Sequence, residues 1–142
     1  MIISKVIGGL GNQMFQYAAG RALALTLGTE FKVDLRGFSF YKLHQGFELD
    51  RLFSCTVKVA SNTDLHNVLG WQSSKLAQRL LRRPQLSPLR KDSFVVEPHY
   101  HYWVVINKLK GNQYLDGYWQ SEQYFINVAD TIRKDFTLKL SP

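Results

Sequence analysis

The sequence predicts an α/β fold built on a parallel sheet, and three observations predict it. Ile2 to Ile7 is a short, β-branched apolar run closed by two glycines. A helical stretch ending at Gly28 follows directly, and a second apolar run, Phe31 to Leu35, comes after it. Strand, glycine turn, helix and strand in that order open a βαβ unit, whose crossover makes its strands parallel.

Each element has its own local reason. Ile2 to Ile7 has the length and branching of a buried strand. Gly8-Gly9-Leu10-Gly11-Asn12 reads as a loop. Gln13 to Leu27 reads as a helix with Ala18, Ala22 and Leu25 on one side, and Gly28 is its stop signal. Arg36 to Phe53 is loop-like. Asp64 to Leu81 is expected to be helical and broken at Gly70. Arg82 to Pro88 is polar and proline-marked, the one linker-like stretch. Phe94 to Glu97 and Tyr114 to Tyr118 read as strands. Ser121 is the expected N-cap of a helix running through Lys134.

The bulk composition narrows the function classes. The 142 residues suit one domain, and 45% hydrophobic with 20% charged residues is ordinary for a globular protein. A net charge of +7 favours anionic partners without choosing among nucleic acid, lipid head groups and nucleotide diphosphates. Cys55 is the single cysteine, so no intrachain disulfide can form and a reducing, cytoplasmic setting is expected. The N-terminus lacks the apolar run of a signal peptide, and no stretch is long enough to span a bilayer.

Gly8-Gly9-Leu10-Gly11-Asn12-Gln13 is the strongest local signal. Glycines let the backbone approach a ligand, and a helix N-terminus after them offers free N–H groups to a phosphate. A tight turn without a ligand explains the same residues about equally well. A dinucleotide site fits less well. Gly9-Leu10-Gly11 supplies two glycines, but Met14 stands at the third, and Asp34 ends the second strand where a ribose-binding acid belongs. His99 and His101 would share one side of a strand as metal ligands do, yet nothing nearby completes a site. Lys75, Arg79, Arg82, Arg83, Arg90 and Lys91 alternate with leucines. A solvated helix face is the plain reading, and a surface for anionic lipid or an acidic glycan is the sharper one. No nucleic-acid motif accompanies the charge, so nucleic acid is not an expected partner.

Three segments together resemble the α-1,2-fucosyltransferases of glycosyltransferase family 11. They are Ile7 to Ala18 (Ile-Gly-Gly-Leu-Gly-Asn-Gln-Met-Phe-Gln-Tyr-Ala), Tyr41-Lys42-Leu43-His44 with Phe47-Glu48-Leu49-Asp50, and Leu115 to Phe125 with its Tyr118-Trp119-Gln120 core. Asn62 to Lys91 matches poorly. The resemblance implies the Rossmann-like, acceptor-side N-terminal half of a GT-B enzyme over residues 1–142, its sheet flanked by helices. It implies transfer of L-fucose from GDP-fucose to the 2-hydroxyl of a terminal galactose in a glycan, with inversion, no metal and no cofactor. It places Gly9, Gly11, Asn12 and Gln13 near the reaction centre, with Asn12 in the catalytic role and Trp119 and Gln120 as further substrate-binding residues. An amide such as Asn12 can orient a hydroxyl or a phosphate but cannot act as a base.

The family's His-x-Arg-Arg-x-Asp donor motif has no counterpart here. Arg82-Arg83 is the only Arg-Arg pair, with Leu80 in the histidine position and Pro84 and Gln85 after it. The expectation is therefore a chain without the donor-binding C-terminal domain and inactive alone, with any membrane contact peripheral, at the inner face. A non-catalytic glycan- or nucleotide-binding module is the first alternative. An NAD-linked oxidoreductase is the second.

Overall fold

The computed structural model describes residues 1–39 and 46–139. Tyr41 to His44, part of the middle family-like segment, lie outside the described residues. In chain order the elements are β1 (Ile2–Lys5), α1 (Leu10–Leu27), β2 (Phe31–Asp34), α2 (Leu49–Leu52), α3 (Asn62–Leu69), α4 (Lys75–Leu81), β3 (Phe94–Val96), β4 (Gln113–Asp116) and α5 (Ala129–Asp135), with short 3₁₀ turns between them.

The four strands form one all-parallel sheet in the order β2-β1-β4-β3. The fold is α/β and Rossmann-like. Alternate side chains feed two cores, as strand geometry requires. Ile2, Val95 and Leu115 face α1, packing with Ala19, Leu23, Ala24, Trp119 and Tyr124. Ile3, Phe94 and Tyr114 face the other way, onto Leu65, Val68, Leu69 and Leu81 of α3 and α4. A satellite cluster of Tyr17, Leu49, Phe53 and Cys55 sits under the segment around α2.

α1 begins three residues earlier than its sequence pattern suggests, because Leu10 to Asn12 are already helical. It ends as expected: Gly28 is left-handed (φ 65°), and the helix closes through bonds to Ala24 and Leu25 carbonyls. Leu25 is exposed, and the buried side runs through Gln16, Ala19, Gly20 and Leu23. Gly20 permits that burial. A Cβ there would lie 2.4 Å from Phe31 Cε1 and 2.9 Å from Ser4 Cβ. The close helix–strand approach that Met14 does not provide is thus supplied six residues later.

The 64–81 region breaks at Gly70 as expected, with Ser61 and Asp64 forming a capping box at the start of α3 and Ser74 capping α4. Arg82 to Pro88 is not a linker. It enters a 3₁₀ turn, Pro84–Leu89, whose Leu86 packs on the α3–α4 core. The helix expected from Ser121 to Lys134 is interrupted. Ser121 caps only a 3₁₀ turn, Glu122–Tyr124, and α5 starts at Ala129. Phe125 and Val128 have φ of −134° and −124°. Tyr124 is drawn inward to stack edge-on against Trp119 and to accept a bond from Trp103 N, which outweighs helical continuity.

Candidate functional site

The chain runs β1, α1, β2 to one side of the sheet and then returns to build β3 and β4 on the other. The order therefore reverses between β1 and β4, and in open parallel sheets ligands bind outside the strand C-termini at such a switch point. Two turns leave the sheet there: Val6 to Gly9 from β1, and Gly117 to Gln120 from β4.

Gln16 holds the two turns together. It is 1% exposed; its Oε1 accepts from Ile7 N at 3.0 Å and its Nε2 donates to Gly117 O at 3.1 Å. Ser4 Oγ donates to the Gln16 carbonyl. Gln13 plays the same part on the other side. It is fully buried, donates to Gly8 O and Gly46 O, and accepts from Glu48 N. Sealed from solvent, Gln13 positions the glycine turn from beneath.

Gly8 has φ 90°, and a Cβ on it would sit 3.0 Å from Asn12 Nδ2. Gly9, with φ −77°, is the N-cap of α1, and its carbonyl accepts from Gln13 N. Gly11 is helical and exposed, with open space where a Cβ would go. The turn's demand for glycine therefore rests on Gly8. Gly8→Ala is expected to lower stability by about 1–3 kcal/mol, whereas Gly11→Ala is expected to be neutral or slightly stabilising. Thermal unfolding of the two variants checks this; equal losses would overturn the assignment.

Asn12 is half-buried on the first turn of α1, and its Oδ1 accepts from Gln120 Nε2 at 2.6 Å. Its Nδ2 has no partner among the described residues. The N–H groups of Leu10, Gly11 and Asn12 have no helical acceptor, and no acidic side chain occupies this first turn. The result is a concentration of donors with a positive dipole end.

The opposing turn is held from β3. Glu97 accepts from Tyr118 N at 3.0 Å and Trp119 N at 3.1 Å. Trp119 is fully buried, stacked on Trp103, and is the one non-glycine residue among the described ones with positive φ, 54°. That strain turns Gln120 outward, where it meets Asn12. Of the six residues singled out from sequence, the structure brings Gly9, Gly11, Asn12 and Gln120 to the open face of the site. Gln13 and Trp119 lie beneath it. Sequence reasoning missed Gln16 and Glu97, whose partners are 101 and 21 residues away.

Asp34 does not offer a ribose-binding carboxylate. It is buried, and Arg36 donates to it through Nε and Nη2, each at 3.0 Å, and through its backbone N–H. Tyr114 OH adds a bond at 2.5 Å. Burial alone would raise its pKa, but the Arg36 and Tyr114 bonds and the Arg36 charge outweigh it and hold the carboxyl below its usual range. Beside it, buried Asp116 lies 3.8 Å from Lys5 Nζ and 3.2 Å from Arg82 Nε. His99 and His101 are exposed and lie beyond β3, not within a strand. Among the described residues no cluster of His, Cys, Asp and Glu could hold a metal, and no helix is long and apolar enough to cross a membrane.

No protein-family model matches the chain, and no solved structure matches it. Over 137 residues it is 32% identical to a protein of Escherichia coli named alpha-1,2-colitosyltransferase. That alignment takes in 96% of this chain and 45% of the relative, so the chain spans a little under half of the relative's length.

Proposed function

We propose that the chain is the acceptor-side half of a GT-B glycosyltransferase that uses a nucleotide-sugar donor and a glycan acceptor. The observation that carries this is the junction of two distant turns at the switch point, Asn12 against Gln120, within a chain similar from end to end to a glycosyltransferase. The finer reading is α-1,2 transfer of L-fucose from GDP-fucose to the 2-hydroxyl of a terminal galactose, inverting and without a metal. The linkage is the one in the relative's name. Because that name also specifies colitose, colitosyl transfer is the second reading.

The chemistry asked of this half is orientation and charge stabilisation. Asn12 Oδ1 is occupied by Gln120, which leaves Nδ2 to donate to the acceptor hydroxyl or a donor phosphate oxygen. The unpaired N–H groups of the first helical turn add to it as negative charge grows on the departing diphosphate. Gly9, Gly11 and Gln120 line this surface, while Gln13 and Trp119 hold its shape.

The test is transfer from labelled GDP-fucose, or from a colitose donor, to a galactose-terminated glycan. The chain is assayed alone and joined to a donor-binding half. Transfer is expected only from the joined protein. A folded joined protein inactive with both donors would overturn the transferase reading, and comparable transfer by the chain alone would overturn the division of labour.

A further inference from the structure

The C-terminal edges of β1 and β2 hold a small cavity that the proposed transfer chemistry does not use. Its volume is about 180 Å³, and its lining includes Lys5, Arg36, Lys75, Arg79, Arg82 and Gln78. That is room for a few water molecules, or for one tetrahedral or planar oxyanion with its nearest waters. Ile7 and Gly37 complete one wall, so the cavity adjoins the glycine turn.

Its charge is unbalanced. Lys5, Arg36, Lys75, Arg79 and Arg82 line it, and among the described residues Asp34 and Asp116 are the carboxylates paired with Lys5, Arg36 and Arg82. Asp34 is saturated by Arg36 and Tyr114. Asp116 is close to Lys5 and Arg82, yet its Oδ2 receives no hydrogen bond. Arg79 has no partner among the described residues. Lys75, Arg79 and Arg82 follow each other at helical spacing along α4 and its C-cap, so all three line the cavity while remaining exposed at its rim.

A second, independent observation comes from Gln78. It is 5% exposed and lines the cavity, and its Nε2 is buried with no hydrogen-bond partner. An unpaired buried amide is costly unless a ligand completes it. Among the side chains that line the cavity donors outnumber acceptors, and an acceptor is what Gln78 Nε2 lacks.

We propose that this cavity is a subsite for an oxyanion, the phosphate or carboxylate group of a sugar ligand whose neutral part extends toward the glycine turn. Only the word sugar rests on the transferase reading; the oxyanion site stands on the cavity itself. Arg79 and Arg82 present guanidinium donors suited to such oxygens, and Gln78 supplies a neutral donor from the wall.

The experiment is an NMR titration of the 142-residue chain with inorganic phosphate, glucose 1-phosphate, galacturonate and neutral galactose. The three anions are expected to shift signals of Lys5, Gln78 and Arg79, and galactose is not. Arg79→Ala is expected to weaken phosphate binding about tenfold. Gln78→Leu is expected to weaken it severalfold while leaving the fold as stable or more so, because it removes an unpaired buried amide. Lys108→Ala, remote on the chain and equal in charge change, should leave binding nearly unchanged. Absence of phosphate shifts at about 10 mM, or equal loss in the Lys108 and Arg79 variants, overturns the subsite. Glucose 1-phosphate binding no tighter than phosphate overturns the sugar ligand. Intact anion binding in a joined protein that transfers no sugar would fault the transferase reading and leave the subsite standing.

Discussion

Asp34→Ala is expected to destabilise the chain by about 3–5 kcal/mol, the usual cost of removing one partner from a buried ion pair. Three Arg36 donors and the Tyr114 hydroxyl converge on this carboxylate. Tyr114 is wholly buried at the centre of the sheet, so its hydroxyl would find no water to replace the lost acceptor. Arg36 also donates to Ser73 O, which ties the end of β2 to the approach to α4. Tyr114→Phe, which removes one donor and leaves the Arg36 pair, should cost only about 1 kcal/mol. Urea unfolding at neutral pH measures both, and a loss under about 1 kcal/mol for Asp34→Ala would reduce the network to a surface-like pair.

The same network sets an acid limit. The folded-state pKa of Asp34 is depressed, so the carboxylate is held more firmly folded than unfolded. Its contribution is complete above the ordinary aspartate value of about 4 and is lost as pH falls through the lower folded value. Asp64, which accepts from Lys32 and the α3 cap and titrates at about 2, adds in the same direction. Unfolding free energy should therefore fall between pH 4 and pH 2, and Asp34→Asn should flatten that fall.

Asn12→Ala, in the chain joined to a donor-binding half, should lower kcat by about 10²–10³, the range for loss of one preorganised donor at developing charge. The structural cost should stay under about 1 kcal/mol. Among the described residues Asn12 makes one side-chain bond, to Gln120, and Gln120 is exposed and can bond water instead. The split between rate and stability is the informative quantity. Asn12→Asp sharpens it: a carboxylate can still accept from Gln120 but would repel a diphosphate, so the rate should fall at least as far. Parallel loss of kcat and Tm in both variants would make Asn12 a structural residue joining two turns.

The parts of this fold that local chemistry specifies were legible in the sequence. β1, α1, β2 and the Gly28 stop were readable because branched apolar runs, glycine punctuation and caps act within a few residues. The break at Gly70 and the parallel character of the sheet were readable for the same reason. The glycine turn stood out as well, although the residue in it that needs to be glycine is Gly8, with its positive φ, and not Gly11.

Other features were not legible because they depend on partners far away in the chain. The 122–128 segment abandons the helix its pattern suggested once Tyr124 docks on Trp119 and Trp103. Gly20 matters only because Phe31 and Ser4 press against it. The residues 82–88 look like a linker until Leu86 finds the α3–α4 core. Asn12 and Gln120 are 108 residues apart and could be suspected separately, but not as a pair.

By itself, then, the sequence determined the fold class, the βαβ opening and the chemical character of the glycine turn, since each arises from neighbouring residues. Tertiary structure alone decided the strand order β2-β1-β4-β3 and therefore which turns face each other. It also decided that Gln16 and Glu97 brace the site, and that part of a basic run lines a cavity with an unpaired buried amide. Those outcomes are set by which surfaces exclude water from one another, a condition that exists only once the sheet has assembled.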